Sequence, residues 1–246
     1  MKIQIKILSI TSLLLASSLA VAGSHPKWGY SDEEGPDHWA SLSADFQECS
    51  GNNQSPVNLT HFIKSDLKKI KINYNTDGNE IVNNGHTIQI NYAKGSSINI
   101  DGMNFELKQF HFHSPSENHI NGKSYPLEAH FVHADKNANL AVIALMFDIG
   151  DENKTLDKAW SKMPQHTDDK YTLSNKVNAD DLLPAKRDYY RFNGSLTTPP
   201  CSEGVRWFVM KEAVSLSKKQ LGAFKSALHN PNNRPIQAVN ARVILE

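Results

Sequence analysis

The chain has 246 residues, 26 lysines and arginines against 26 acidic side chains, and 39% apolar residues, enough for one sizeable core. Charge is balanced and no basic block stands out, which excludes a nucleic-acid-binding surface, because a phosphate backbone demands a surplus of Lys and Arg. The longest apolar stretch, Ile7 to Val21, runs for about 15 residues, short of the ~20 that a spanning helix needs, so a membrane span is not expected.

In chain order, the first element is that same stretch. It follows Lys2 and Lys6 and ends in Ala20-Val21-Ala22-Gly23, a basic start, an apolar middle and a small-residue cleavage site. Residues 1–22 therefore read as a secretory signal peptide, which leaves a domain of residues 23–246 in the periplasm or outside the cell. Export would carry both cysteines, Cys49 and Cys201, into an oxidising compartment, where a disulfide between them is expected.

Short runs of period-two alternation come next: Ile70, Ile72 and Tyr74; Ile88-Gln89-Ile90; Ile98 and Ile100; the apolar run Leu140 to Phe147; and Val205 to Val209. Asp77-Gly78, Asn84-Gly85, Asp101-Gly102 and Asn121-Gly122 are turn pairs, so neighbouring strands are expected to be antiparallel hairpins. The clearest helix is Ser217 to Leu228, where Ser217 and Gln220 form a capping box and Leu221, Phe224 and Leu228 share a stripe. No repeat or low-complexity linker divides the chain. The expected fold is mostly β (α+β): one domain around a large, twisted, mainly antiparallel mixed sheet with short helices at its margin.

Among eleven histidines, placement matters more than number. In Gln109-Phe110-His111-Phe112-His113, strand alternation puts both imidazoles on one face and both phenylalanines on the other. Two imidazoles at i and i+2 can meet one metal ion, and a catalytic Zn²⁺ wants a third protein ligand and an open position. His119, His130 and His133 are the candidates. His130 is chosen because Glu128 shares its face two residues earlier, as Gln109 precedes His111, and a metal-bound imidazole usually gives its other N–H to such a partner. His133 would point to the opposite face. A competing reading takes His111, His113 and Glu117 as part of a cupin signature with the glutamate as ligand. After six intervening residues that signature has a glycine, and here Ser124 stands there.

Trp28-Gly29-Tyr30, Gly35-Pro36-Asp37-His38-Trp39, Gln54-Ser55-Pro56-Val57, Asn83-Asn84-Gly85-His86, the Gln109–His113 run, Glu117 and the Glu128–His133 run stand in one order. Gly194-Ser195-Leu196-Thr197-Thr198-Pro199-Pro200-Cys201 and Asn232-Asn233-Arg234-Pro235 complete the series. Together they resemble the α-class carbonic anhydrases over nearly all of residues 23–246. The resemblance implies zinc on His111, His113 and His130 at the bottom of a cleft, Glu117 as a non-ligand, and reversible hydration of CO₂ by zinc-hydroxide attack. It implies Thr197 as the hydroxide's acceptor and Glu117 as the acceptor from Thr197. Val132, Val142, Leu196, Val205 and Trp207 would form an apolar wall for CO₂, Thr198 would bind bicarbonate, and His86 would shuttle the proton. The implied partner is a small molecule; a homodimer is left open. A metal-free binding module on the same fold is the alternative from another class. Three positions depart from the usual pattern: Asn118 where His is common, Gln89 where Asn is common and Phe192 where Tyr is common.

Overall fold

The computed structural model describes residues 26–246; the signal-peptide reading of residues 1–22 lies outside them. Thirteen strands form: β1 (Asn58–Leu59), β2 (Lys71–Tyr74), β3 (Gly78–Asn83), β4 (Ile88–Tyr92), β5 (Ser96–Ile100), β6 (Met103–His113), β7 (His119–Ile120), β8 (Leu127–Ala134), β9 (Leu140–Ile149), β10 (Lys170–Val177), β11 (Tyr189–Ser195), β12 (Glu203–Met210) and β13 (Val214–Leu216). Three α-helices accompany them among the described residues, α1 (Trp39–Leu42), α2 (Lys154–Ala159) and α3 (Lys218–Leu228), along with short 3-10 turns. None of the described helices is long and apolar enough to cross a membrane.

Eleven strands make one sheet, with β10-β3-β4-β6-β8-β9-β12-β11 as its main path. The ladders are antiparallel except where β9 runs parallel to both β12 and β13. The long strand β6 is shared: its first half pairs with β5 and its second half with β4. The central strands are buried on both faces, and their alternation sorts side chains into two cores. On β9, Ala141, Ile143, Leu145 and Phe147 join the larger core, while Val142, Ala144 and Met146 join the smaller one with Val205 and Trp207. Helices α2 and α3 cover the larger core through Leu156, Ala159, Phe224 and Ala227. The cap expected on the last helix is present in both directions, Ser217 Oγ accepting from Gln220 N and Gln220 Oε1 from Ser217 N.

Two of the expected hairpins have the expected form. Asn84-Gly85 joins β3 to β4, and Asp101-Gly102, with φ of 52° and 78°, joins β5 to β6 as a two-residue turn. Asp77-Gly78 is a correction: Gly78 is the first residue of β3, and β2 pairs with β5 instead of β3. Glycine is needed there for packing, since a Cβ would come within 2.4 Å of the Ile90 side chain.

Candidate metal centre

Strands β6 and β8 are adjacent, antiparallel and in a register that sets His111 directly opposite His130, with His113 opposite Glu128. Alternation turns Phe110, Phe112 and Phe131 into the larger core and all three imidazoles to the other face. There one nitrogen of each ring lies within 4.8 Å of the others.

Each ring is oriented by a bond from its second nitrogen. His111 Nδ1 donates to Gln109 Oε1 at 2.8 Å, His113 Nδ1 to the Asn232 carbonyl at 2.7 Å, and His130 Nε2 to Glu128 Oε1 at 2.9 Å. Nε2 of His111 and His113 and Nδ1 of His130 are thereby left to converge. Burial holds all three rings well below or below the ordinary imidazole range, helped for His111 and His130 by the neighbouring rings. They are neutral, with lone pairs free. His113 Nε2 is buried without a hydrogen-bond partner, and a soft-edged, all-nitrogen donor set of this kind suits Zn²⁺.

The rejected candidates sit elsewhere. His133 is fully buried on the opposite face, its Nδ1 donating to the Ala141 carbonyl at 3.2 Å and its Nε2 accepting from Tyr74 Oη at 2.8 Å. His119, half-buried on β7, pairs with β1.

Glu117 is buried beside the triad, with Oε2 3.5 Å from His113 Nε2, yet it stands outside the group of converging donor atoms. Its Oε1 accepts from Arg234 N at 2.8 Å, and its own N–H donates to Glu128 Oε2 at 2.7 Å. Burial pushes its carboxyl well up; the Arg234 N–H and the nearby Thr197 hydroxyl oppose that rise. Thr197 and half-buried Thr198 lie in the loop from β11 to β12. Trp207 Nε1 fixes the start of this loop by donating to the Ser195 carbonyl at 3.0 Å, and the Cys49–Cys201 disulfide fixes its end.

Val142, Val205 and Trp207 are buried members of the smaller core, with Val132 and Leu196 packed against it. Trp207 meets His130 edge to face at 4.9 Å, so this apolar wall borders the triad. His86 is half-buried after the Asn84-Gly85 turn, stacked on Trp28 with ring centroids 3.6 Å apart. Both rings line a cleft with Tyr30 and Asn232. Burial lowers the His86 imidazole from its ordinary value.

The departures acquire physical accounts. Asn118 donates from N and Nδ2 to Glu128 at 2.8 and 2.7 Å and accepts from Val57 N, so it steadies the carboxylate that orients His130. Phe192 stacks parallel to Trp207 at 6.0 Å and fills the smaller core. Gln89 stands opposite His111 on β4 and donates to Asn91. Sequence reasoning missed the partner of His113. A main-chain carbonyl leaves no mark in residue types; only the quoted Asn232–Pro235 motif pointed to that segment.

A fold of one large mixed sheet, with three imidazoles from two adjacent strands on one face, defines the α-type carbonic anhydrase class. The model of the eukaryotic-type carbonic anhydrase family matches residues 34–246, and the chain belongs to that family, enzymes of the lyase type that hydrate CO₂. A carbonic anhydrase of Neisseria gonorrhoeae is 45% identical over 243 residues, covering 96% of either chain. Among solved structures, the α-carbonic anhydrase from Thermovibrio ammonificans, in complex with the inhibitor sulfanilamide, superposes with a TM-score of 0.89 at 46% identity. That match covers 91% of this chain and all of the other. A hyperthermostable carbonic anhydrase from a hydrothermal vent chimney gives a TM-score of 0.88 at 53% identity, covering 89% and 99%.

Proposed function

We propose that the protein is a zinc-dependent, exported carbonic anhydrase in which His111, His113 and His130 hold the metal and His86 carries protons to buffer. The observation that carries this reading is the triad itself: three neutral imidazoles, each with its second N–H engaged, and their free nitrogens within 4.8 Å of one another. Zinc bound there would supply a Lewis-acid charge and lower the pKa of a coordinated water, to about 7 in the family's known case. Because the imidazoles are uncharged, they leave that charge unquenched, and a dication beside Glu117 favours its ionised form against the effect of burial.

An ionised Glu117 accepts only, so Thr197 must donate to it and present its own oxygen as an acceptor. Thr197 thereby selects a protonated oxygen in the site and aims its lone pair. CO₂ carries no charge to grip, and Val132, Val142, Leu196, Val205 and Trp207 offer it a surface that water does not compete for. Thr198 holds the bicarbonate by a hydrogen bond. Every hydration releases one proton, which His86 takes at the cleft and passes to buffer, its lowered pKa favouring release.

The disulfide supports an oxidising compartment, and hence removal of residues 1–22 and a mature domain of residues 23–246 in the periplasm or outside the cell. The deciding experiment is metal analysis with stopped-flow CO₂ hydration, before and after chelation. One zinc per chain and activity lost on chelation and restored by Zn²⁺ are expected. Full hydration activity in metal-free protein, or iron in place of zinc, would overturn the assignment.

A further inference from the structure

Residues 232–234 supply no candidate ligand, yet three parts of the centre lean on them. The Asn232 carbonyl holds His113 Nδ1 at 2.7 Å, and Arg234 N holds Glu117 Oε1 at 2.8 Å. Asn232 Nδ2 donates to the His86 carbonyl at 2.9 Å and the Phe112 carbonyl at 2.8 Å, while its Oδ1 accepts from Ser114 N at 2.8 Å. This segment lies in neither helix nor strand, so nothing in its own backbone pattern fixes it.

Its anchor is the Arg234 side chain. The residue is 2% exposed, and its guanidinium lies over the Trp39 ring at 5.3 Å. Nη1 donates to Gln54 Oε1 at 2.7 Å and to the Ser55 carbonyl at 2.8 Å; Nη2 donates to the Cys49 carbonyl at 2.8 Å. Gln54 Nε2 in turn donates to the Cys201 carbonyl at 3.1 Å. These partners are all neutral acceptors. Burying a cation whose hydrogen-bond partners are all neutral is costly even with the Glu117 carboxyl nearby, and an apolar side chain would fill the same space without that cost. What it gains is a rigid planar fork reaching three carbonyl-type oxygens at once.

We propose that Arg234 is a positioning residue of the metal centre: its guanidinium fastens residues 232–234 to the disulfide-bridged Cys49–Ser55 segment, and the main chain so fixed orients His113 and Glu117. The proposal rests on the zinc reading above. Loosening the fork lets the Asn232 carbonyl drift, and His113 loses the acceptor that sets its tautomer and ring angle. Disturbing such a partner typically costs ~10- to 100-fold in metal affinity.

The test uses the oxidised mature chain with Zn²⁺ as the probe. Arg234→Lys keeps the charge and loses the fork; Arg242→Lys is the control, because Arg242 also binds backbone carbonyls, those of Val239, Asn193 and Ala238. Zinc affinity is read by chelator competition, and melting temperature is read with and without zinc. A ligand that binds only the folded chain raises its melting temperature according to affinity, so the gap between the two melts reports the centre alone. Arg234→Lys is expected to weaken zinc at least ~10-fold, to narrow the gap and to speed exchange of the His113 Nδ1 proton seen by NMR. Arg242→Lys should leave the gap unchanged. Equal lowering of both melts by Arg234→Lys, with zinc affinity intact, would reduce Arg234 to a structural residue and overturn the proposal. If Arg234→Lys does not fold, Gln54→Leu removes one acceptor from the far end of the fork; it should weaken zinc in the same direction, and unchanged affinity overturns the proposal equally. A parent protein that takes up no zinc defeats the metal reading itself, a result distinct from either.

Discussion

His130 and His133 stand three residues apart on one strand, and alternation gives them opposite fates. His130→Ala should abolish zinc retention and CO₂ hydration together, as should His111→Ala and His113→Ala, measured by metal analysis and stopped flow. His133→Ala should keep its zinc and lose stability, since it strands the buried Tyr74 hydroxyl at a cost of about 1–3 kcal/mol. The same residue sets a pH dependence. Burial holds folded His133 at about 4, against about 6.5 for an unfolded imidazole. Between those values the unfolded chain binds a proton that the folded chain refuses. Stability from this group is therefore complete above about pH 6.5 and falls as pH drops to 4, by about 3 kcal/mol in all. His133→Gln, which can still accept from Tyr74 and donate to Ala141, should flatten the fall when unfolding by denaturant is followed across that range; parallel slopes would show that His133 plays no part. His86 belongs to kinetics. Direct proton release from a group of pKa about 7 is capped at roughly 10³ s⁻¹, whereas the family's fast members reach about 10⁶ s⁻¹. His86→Ala should hold zinc and equilibrium exchange, lose at least ~10-fold in steady-state kcat in dilute buffer, and recover with added imidazole. An unchanged kcat would assign the proton to another group.

Elements that carry their own local signal were legible in the sequence. The Phe-His-Phe-His alternation gave the imidazole face of β6, Glu128 pointed to His130 instead of His133 as the third member of the cluster, and the Ser217–Gln220 pair marked the start of α3 to the residue. Gln220 also shows what local signals miss. Its amide reaches across to Asn153, which caps α2, and to Asp157 within α2, so the cap doubles as a tie between two helices. Ser217→Ala should cost about 1 kcal/mol, the usual value of a cap. Gln220→Ala should cost distinctly more in equilibrium unfolding, because it removes the bonds to Asn153 and Asp157 along with its half of the cap; equal losses would show that the tie contributes nothing. Asp77-Gly78 failed for the converse reason. Turn chemistry was right for a hairpin, but β2 found its partner in β5, and such pairing depends on residues distant in the chain.

Across the whole molecule, the disulfide ties residues 152 positions apart, and loop entropy puts its stabilisation at roughly 5 kcal/mol at most. Reduction should lower both the melting temperature and turnover, because Cys201 ends the loop that carries Thr197; two titratable thiols in native, air-oxidised protein would refute the bridge. The Cys49 and Cys201 carbonyls also receive Arg234 and Gln54, so the bridge should matter to zinc affinity as well as to stability.

The dependence of the centre on residues 232–234 orders events in time. A chain emerging from the ribosome presents β6 and β8, with all three imidazoles, about a hundred residues before Asn232 appears. Until then His113 has no acceptor for its second nitrogen and Glu117 has no donor for its Oε1. The growing chain thus owns its three imidazoles early and their geometry late. Under the zinc reading proposed above, full metal affinity is then expected only once residues 232–234 have joined the fold, so the last segment of the chain sets when the centre becomes competent.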